Sequence, residues 1–215
     1  MIPLLHDFEG ETVLVFGGGR VGARKARRFA REARVVVVSP AFADVGFGDA
    51  ELVRAAPGPG AVPEWVDRTN PALVVAATDV AAVNDAAERV ASERGILCNR
   101  ADEHGERDAR SVVVPATVRE DPVTVAVATG GRSPALSRYL REEIESEFSG
   151  VGEMAELTGA LRTELQAAGV PPEQRRAAVR AVVRSSAVWK ALDTGSANAR
   201  QVAVDVIEDV TGETL

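Results

Sequence analysis

The sequence predicts an α/β fold: a doubly wound parallel sheet at the N-terminal end, then a small α+β segment and a C-terminal helical domain. Three observations carry this. Short, uninterrupted apolar runs (12–16, TVLVF; 35–38, VVVV; 73–77, LVVAA) have the continuous hydrophobicity of strands buried on both faces. Amphipathic or Ala-rich stretches separate them, as crossover helices would. From about residue 110 the alternation stops, and beyond Gly150 only helical periodicity remains.

Each element has its own signal. The 12–16 run ends in glycines and is followed by Val21, Ala26, Phe29 and Ala30 among Arg and Lys, a helix over 20–32. A weaker strand covers 51–55, and the Gly- and Pro-rich stretch 56–63 is a loop. A helix over 80–94 stops at Gly95, with a strand at 96–99. Residues 111–117 and 122–128 are Val-rich runs joined by a polar turn, an antiparallel pair. Ser133 caps and Pro134 opens the next helix, whose apolar face is Leu136, Tyr139, Leu140 and Ile144. Helices over 152–168, 172–192 and 196–210 complete the chain, giving domains 1–110, 111–149 and 150–215.

Composition narrows the function classes. Hydrophobic residues make up 46% and charged residues 27% of 215, enough apolar material for a real core, and with 4% aromatics that core is aliphatic. A net charge of −7 argues against nucleic acid or an anionic membrane as partner. One cysteine, Cys98, excludes an internal disulfide and fits a reducing compartment. The first residues lack the pattern of a signal peptide and no run is long enough to span a bilayer, so a cytoplasmic location is expected.

Gly17-Gly18-Gly19-Arg20-Val21-Gly22 fits G-x-G-x-x-G, and it lies between a buried strand and an amphipathic helix, the context that gives the pattern meaning. Gly17 permits the tight turn, Gly19 lets the backbone approach a pyrophosphate, and Gly22 lets the helix pack on the sheet. Phosphates would then meet the N–H groups opening the helix. A ligand-free glycine turn is the weaker reading in this context. The second strand ends in Ser39-Pro40-Ala41 where such Rossmann-like domains often carry an acid for the ribose hydroxyls. With no Arg directly after Ser39, NAD is expected over NADP.

Residues 17–25 (GGGRVGARK) resemble the opening of the siroheme synthase N-terminal domain and of stand-alone precorrin-2 dehydrogenases. The resemblance continues in order through Ala76-Ala77-Thr78-Asp79 with Val83-Asn84, Cys98-Asn99-Arg100-Ala101-Asp102, Val114-Pro115-Ala116 and Thr129-Gly130-Gly131-Arg132-Ser133-Pro134-Ala135-Leu136. It covers residues 1 to about 148; the later helices match only in general character. It implies NAD-dependent oxidation of precorrin-2 to sirohydrochlorin by a dehydrogenase module without a methyltransferase domain. It also implies a homodimer built through the central segment.

By that motif match Asp102 is the catalytic aspartate, as a general base or as a stabiliser of positive charge on the pyrrolic system. The cofactor set is Gly17, Gly18, Gly19, Arg20, Val21, Ser39, Pro40, Ala41, Thr78 and Asp79. A substrate rich in carboxylates calls for arginines, and Arg100, Arg107, Arg110, Arg119, Arg132, Arg138 and Arg141 are available. Arg132 and Arg138 are favoured because they flank the helix start at Ser133; Thr129 and Asn99 complete the substrate set. His104 suits an exposed loop, Cys98 the core, and two histidines with one cysteine make a protein-built metal site unexpected. Two other readings stand beside this one: a bifunctional enzyme that also inserts iron, and an NAD-sensing module without chemistry.

Overall fold

The structure, a computed structural model, describes residues 2–102, 111–195 and 198–212. The chain forms two compact units. One comprises residues 1–114 with 130–132, the other 115–129 with 133–215.

The first unit is the expected parallel sheet. Strands β1 (Thr12–Phe16), β2 (Arg34–Ser39), β3 (Glu51–Arg54), β4 (Leu73–Ala76) and β5 (Leu97–Arg100) pair in the order β3-β2-β1-β4-β5, all parallel. Helices α1 (Arg20–Phe29), α2 (Val62–Thr69) and α3 (Ala81–Arg94) connect β1 to β2, β3 to β4 and β4 to β5, while β2 passes to β3 without a helix. Strand alternation sends side chains to two separate cores. Leu14, Phe16, Val36, Val38 and Val74 pack with Val62 and Val66 of α2 and with Ala87 and Val90 of α3. Val13, Val15, Val35, Val37 and Val75 pack with Ala23 and Ala26 of α1 on the other face. The chain therefore buries valines on both faces of one sheet, each contributing about 1.5–3 kcal/mol when removed from water. Strand order reverses between β1 and β4, and in such sheets ligands bind beyond the carboxyl ends of the strands at this point.

The second unit opens with an antiparallel hairpin, β6 (Ala116–Glu120) and β7 (Val123–Val127). Five helices follow: α4 (Pro134–Glu147), α5 (Val151–Ala167), α6 (Pro172–Arg184), α7 (Ser186–Asp193) and α8 (Ala199–Thr211). Met154, Leu161, Leu165, Val182, Val188, Leu192 and Ile207 form the common core of α5 to α8. Gly152 lets α5 close on the hairpin: its N–H donates to Glu120 Oε1 at 3.3 Å, and a Cβ there would lie 2.5 Å from Asp121 O.

Three expectations need correction. The 56–63 stretch is not all loop, because α2 begins at Val62 with Pro63 in its first turn, a position where the missing N–H costs nothing. The span 172–192 is two helices. Ser185 turns extended (ψ 112°) and its hydroxyl accepts from Val188 N, capping α7. The run 111–117 is divided at Pro115, which has no N–H for a ladder. Val112 N donates to Cys98 O at 2.8 Å beside β5, while the hairpin begins at Ala116.

The glycine turn allows a stability test. A Cβ on Gly22 would lie 1.9 Å from Gly17 O, whereas one on Gly19 would meet nothing within 4 Å. Gly22→Ala should destabilise the chain by about 3 kcal/mol or more, and Gly19→Ala by less than about 1 kcal/mol, measured by urea unfolding.

Candidate functional site at the carboxyl edge of the sheet

Gly17, Gly18 and Gly19 join β1 to α1. Gly17 has φ +116°, and a Cβ there would lie 2.2 Å from Ala77 O, so the β1 exit is pressed against the β4 exit. A Cβ on Gly18 would meet Ala41 O at 2.3 Å, and Gly18 O accepts from Ala43 N, fixing the 41–43 loop against the turn. The protein itself therefore demands Gly17, Gly18 and Gly22. Gly19 is different: its backbone is extended (φ −75°, ψ −179°) and its Cβ position is open space. No side chain caps α1 and no acid stands in its first turn. The N–H groups of that first turn, Arg20 and Val21 among them, have no partner within the helix. Such an open cradle of N–H groups could hold a pyrophosphate.

Ser39 is 7% exposed and its hydroxyl donates to Ala41 O at 2.7 Å, so it shapes the Pro40-Ala41 turn. Arg54 lies in register with Ser39 and donates to Pro40 O at 3.0 Å, with its guanidinium 5.7 Å from the Phe42 ring centroid. The sequence reading considered only the residue after Ser39 and so missed this cation, which parallel pairing brings to the same loop from 14 positions downstream.

Beyond β4 and β5 the side chains form one network. Asn84 of α3 is 1% exposed; its Oδ1 accepts from Thr78 N and from Thr78 Oγ1, and its Nδ2 donates to Thr78 O. The same Nδ2 donates to Asp102 Oδ2 at 2.9 Å. Arg100 grips Asp102 with two bonds, Nε to Oδ1 at 2.9 Å and Nη2 to Oδ2 at 2.8 Å. Its Nη1 reaches Asp85 and Glu88, each at 2.9 Å. The Arg100 side chain is 5% exposed, so this guanidinium is committed and does not serve as one of the expected substrate-pairing arginines. The Arg100 guanidinium, with help from the Asn84 amide and against burial, lowers the Asp102 carboxyl from its ordinary 3.8 to about 2. Asp102 is thus ionised and only weakly basic, which suits it to placing charge rather than accepting a proton.

Asn99 Nδ2 donates to Val112 O at 2.7 Å, tying 111–114 to β5, while its buried Oδ1 has no partner among the described residues. Asp79 is exposed at the mouth of the β4 loop. In the second unit, Thr129 Oγ1 accepts from Ser133 N and lies 3.0 Å from Ser137 Oγ, and Ser133 Oγ accepts from Leu136 N, capping α4. Arg138 is exposed and donates to Glu142; Arg132 is exposed in the Gly130–Arg132 piece grouped with the first unit. His104, Arg107 and Arg110 lie outside the described residues. Sequence reasoning quoted Asn84 within a motif but gave it no role, and it missed the structural role of Arg100, for which the spacing of Asp85 and Glu88, three apart on one helix face, was the available signal.

Because the Asp102 value is depressed in the folded state, the stability its ion pair supplies is fully present above about pH 4 and is lost as pH falls through the folded value. Carbon-13 NMR of the Asp102 carboxyl should show a midpoint near 2. In Arg100→Gln that midpoint should rise to the ordinary carboxylate range or above.

A family described as putative NAD(P)-binding matches residues 4–116, and the sirohaem biosynthesis protein central family matches residues 120–147. A siroheme synthase of Stutzerimonas stutzeri is 31% identical over 100% of this chain and 46% of its own length, so the chain spans about half of that relative. A precorrin-2 dehydrogenase of Methanosarcina barkeri is 30% identical over 96% of this chain and 93% of its own length. The solved structure of SirC, precorrin-2 dehydrogenase, superposes with a TM-score of 0.70 at 21% identity, covering 97% of this chain and all of that one, a likeness of fold. Among the described residues no helix is long and apolar enough to cross a membrane. The chain belongs to the NAD(P)-binding family of sirohaem biosynthesis that includes the siroheme synthases and precorrin-2 dehydrogenases.

Proposed function

We propose that this protein oxidises precorrin-2 to sirohydrochlorin with NAD, in the cytoplasm, as a homodimer. On this reading residues 1–110 hold the cofactor, 111–149 form the dimerisation segment and 150–215 are an added helical domain. The observation that carries the reading is the pairing, on one sheet edge, of an open cradle at Gly19 with a fixed carboxylate at Asp102. The whole-length likeness to a precorrin-2 dehydrogenase supports it.

Bound NAD would supply the hydride acceptor. Gly17, Gly18 and Gly19 with the Arg20 and Val21 N–H groups would hold its pyrophosphate, the Ser39-Pro40-Ala41 turn its adenosine side, and Thr78 and Asp79 the rim of the β4 loop. Asp102 stays ionised and favours positive charge developing on the macrocycle as hydride departs. Asn84 and Arg100 orient it. Thr129, Arg132, Ser133, Arg138 and Asn99 are the proposed substrate-binding residues.

Dimerisation has its own support. No residue of α4 is buried, and Leu136, Tyr139 and Leu140 are 46%, 55% and 37% exposed along one apolar face. Among the described residues β6 and β7 pair in a sheet only with each other, and a two-stranded ribbon is marginal in water. A second copy would cover both.

Three outcomes test this reading. Asp102→Asn should retain NAD affinity within threefold while turnover, followed by sirohydrochlorin absorbance, falls about 10²–10³-fold; turnover near wild type would remove Asp102 from the chemistry. Gly19→Asp should fold normally and lose NAD binding by calorimetry. Tyr139→Glu with Leu140→Glu should convert a dimer to a monomer in sedimentation velocity at micromolar concentration. Adding divalent iron without NAD to the same incubations separates a chelatase activity from the dehydrogenase.

A further inference from the structure

The second unit carries a concentration of positive charge that the proposed chemistry does not use. Arg176, Arg180 and Arg184 fall at i, i+4, i+8 on α6, and Arg175, Val179 and Val183 form the neighbouring row at the same spacing. With Arg162 of α5 they line a cavity of about 500 Å³. Ala178 and Val182, on the opposite side of α6, are fully buried in the helical core, so the arginine face turns away from it.

These arginines lack what the chain supplies elsewhere. Arg89, Arg138 and Arg141 each have a carboxylate one turn further on, at Glu93, Glu142 and Glu145. None of the five cavity arginines forms an ion pair among the described residues. Arg175 donates to Val170 O at 2.9 Å, and Glu164, two positions from Arg162, is engaged by Arg200. Like charges at i, i+4 destabilise a helix, so three in a row are a standing cost in a protein of net charge −7. Val183, 42% exposed, and the half-buried Val179 give the cavity an apolar side between the guanidinium groups. Guanidinium groups pair with carboxylates in two-bond fashion. Several of them around an apolar wall match a ligand with a broad apolar body and several carboxylates at its edge.

We propose that the α5–α6 face is a second, non-catalytic binding site for such a polycarboxylate and, resting on the function proposed above, that its ligand is the carboxylate-rich tetrapyrrole, held outside the site of oxidation.

The test uses the full chain and uroporphyrin, an amphiphilic tetrapyrrole polycarboxylate, followed by fluorescence and equilibrium dialysis. R176E/R180E changes exposed positions, and circular dichroism checks that the helices persist. The double variant should bind one uroporphyrin fewer per chain, or bind it at that site at least tenfold more weakly. R176K/R180K should retain most of the binding, and both should oxidise saturating precorrin-2 at the wild-type rate. Unchanged stoichiometry and affinity in R176E/R180E would overturn the proposal. So would displacement of uroporphyrin from this site by equimolar tripolyphosphate, which has charge but no apolar body. A wild-type protein that binds uroporphyrin through α6 yet forms no NADH from precorrin-2 would instead defeat the dehydrogenase reading and leave this site standing.

Discussion

Arg100 is a cation taken almost wholly out of water, and the arrangement of the sheet's carboxyl edge depends on how that charge is answered. Removing a guanidinium from water costs several kcal/mol, which only close, well-aligned anions offset. Three are present. Asp102 takes two bonds from the loop beyond β5, while Asp85 and Glu88 approach from the first turns of α3. One buried side chain therefore fixes the end of β5, the start of α3 and the direction of the Asp102 carboxylate together. Asn84 extends the constraint to the β4 exit by holding Thr78 through three hydrogen bonds and Asp102 through one.

The glycine turn answers the same edge by the opposite means. Around Arg100 position is set by charges in contact; around Gly17, Gly18 and Gly22 it is set by the absence of side chains, with neighbouring backbone oxygens where Cβ atoms would be. Both leave one thing open. The space at Gly19 is not filled by the protein, and the partly exposed Asp102 still faces solvent with about a third of its side chain. Rigid surroundings with a small open part describe a preorganised site, because the groups that meet the ligand do not reorganise when it arrives.

The sheet and the glycine turn were legible in the sequence because each has a local cause. Runs such as 35–38 are buried on both faces, and the turn residues are read directly from their neighbours. The misses are non-local or depend on a single residue. Arg54 reaches the 39–41 loop only through parallel strand register, and Arg100 looked like a substrate contact because nothing in the linear order says that Asp85 and Glu88 close over it. The division of 172–192 turned on one serine hydroxyl competing with helix propensity at Ser185. Residues 111–114 carry the same valine pattern as the hairpin, and only Pro115 separates their fates.

The electrostatics of the edge also constrain how a substrate could lie there. Among the described residues one guanidinium stands against three carboxylates, an excess of negative charge that the low proton affinity of Asp102 maintains at any physiological pH. Two unit charges about 4 Å apart interact by about 4 kcal/mol at a partly screened protein surface. If the proposed macrocycle binds here, positive charge developing in it would be favoured beside Asp102 and a carboxylate of the same molecule disfavoured. The core of such a substrate would turn toward this edge and its acidic rim away from it. Orientation would then follow from repulsion as much as from attraction. On this reading arginine contacts to the rim would come from elsewhere, since Arg100 is buried and engaged by carboxylates rather than offered to a substrate.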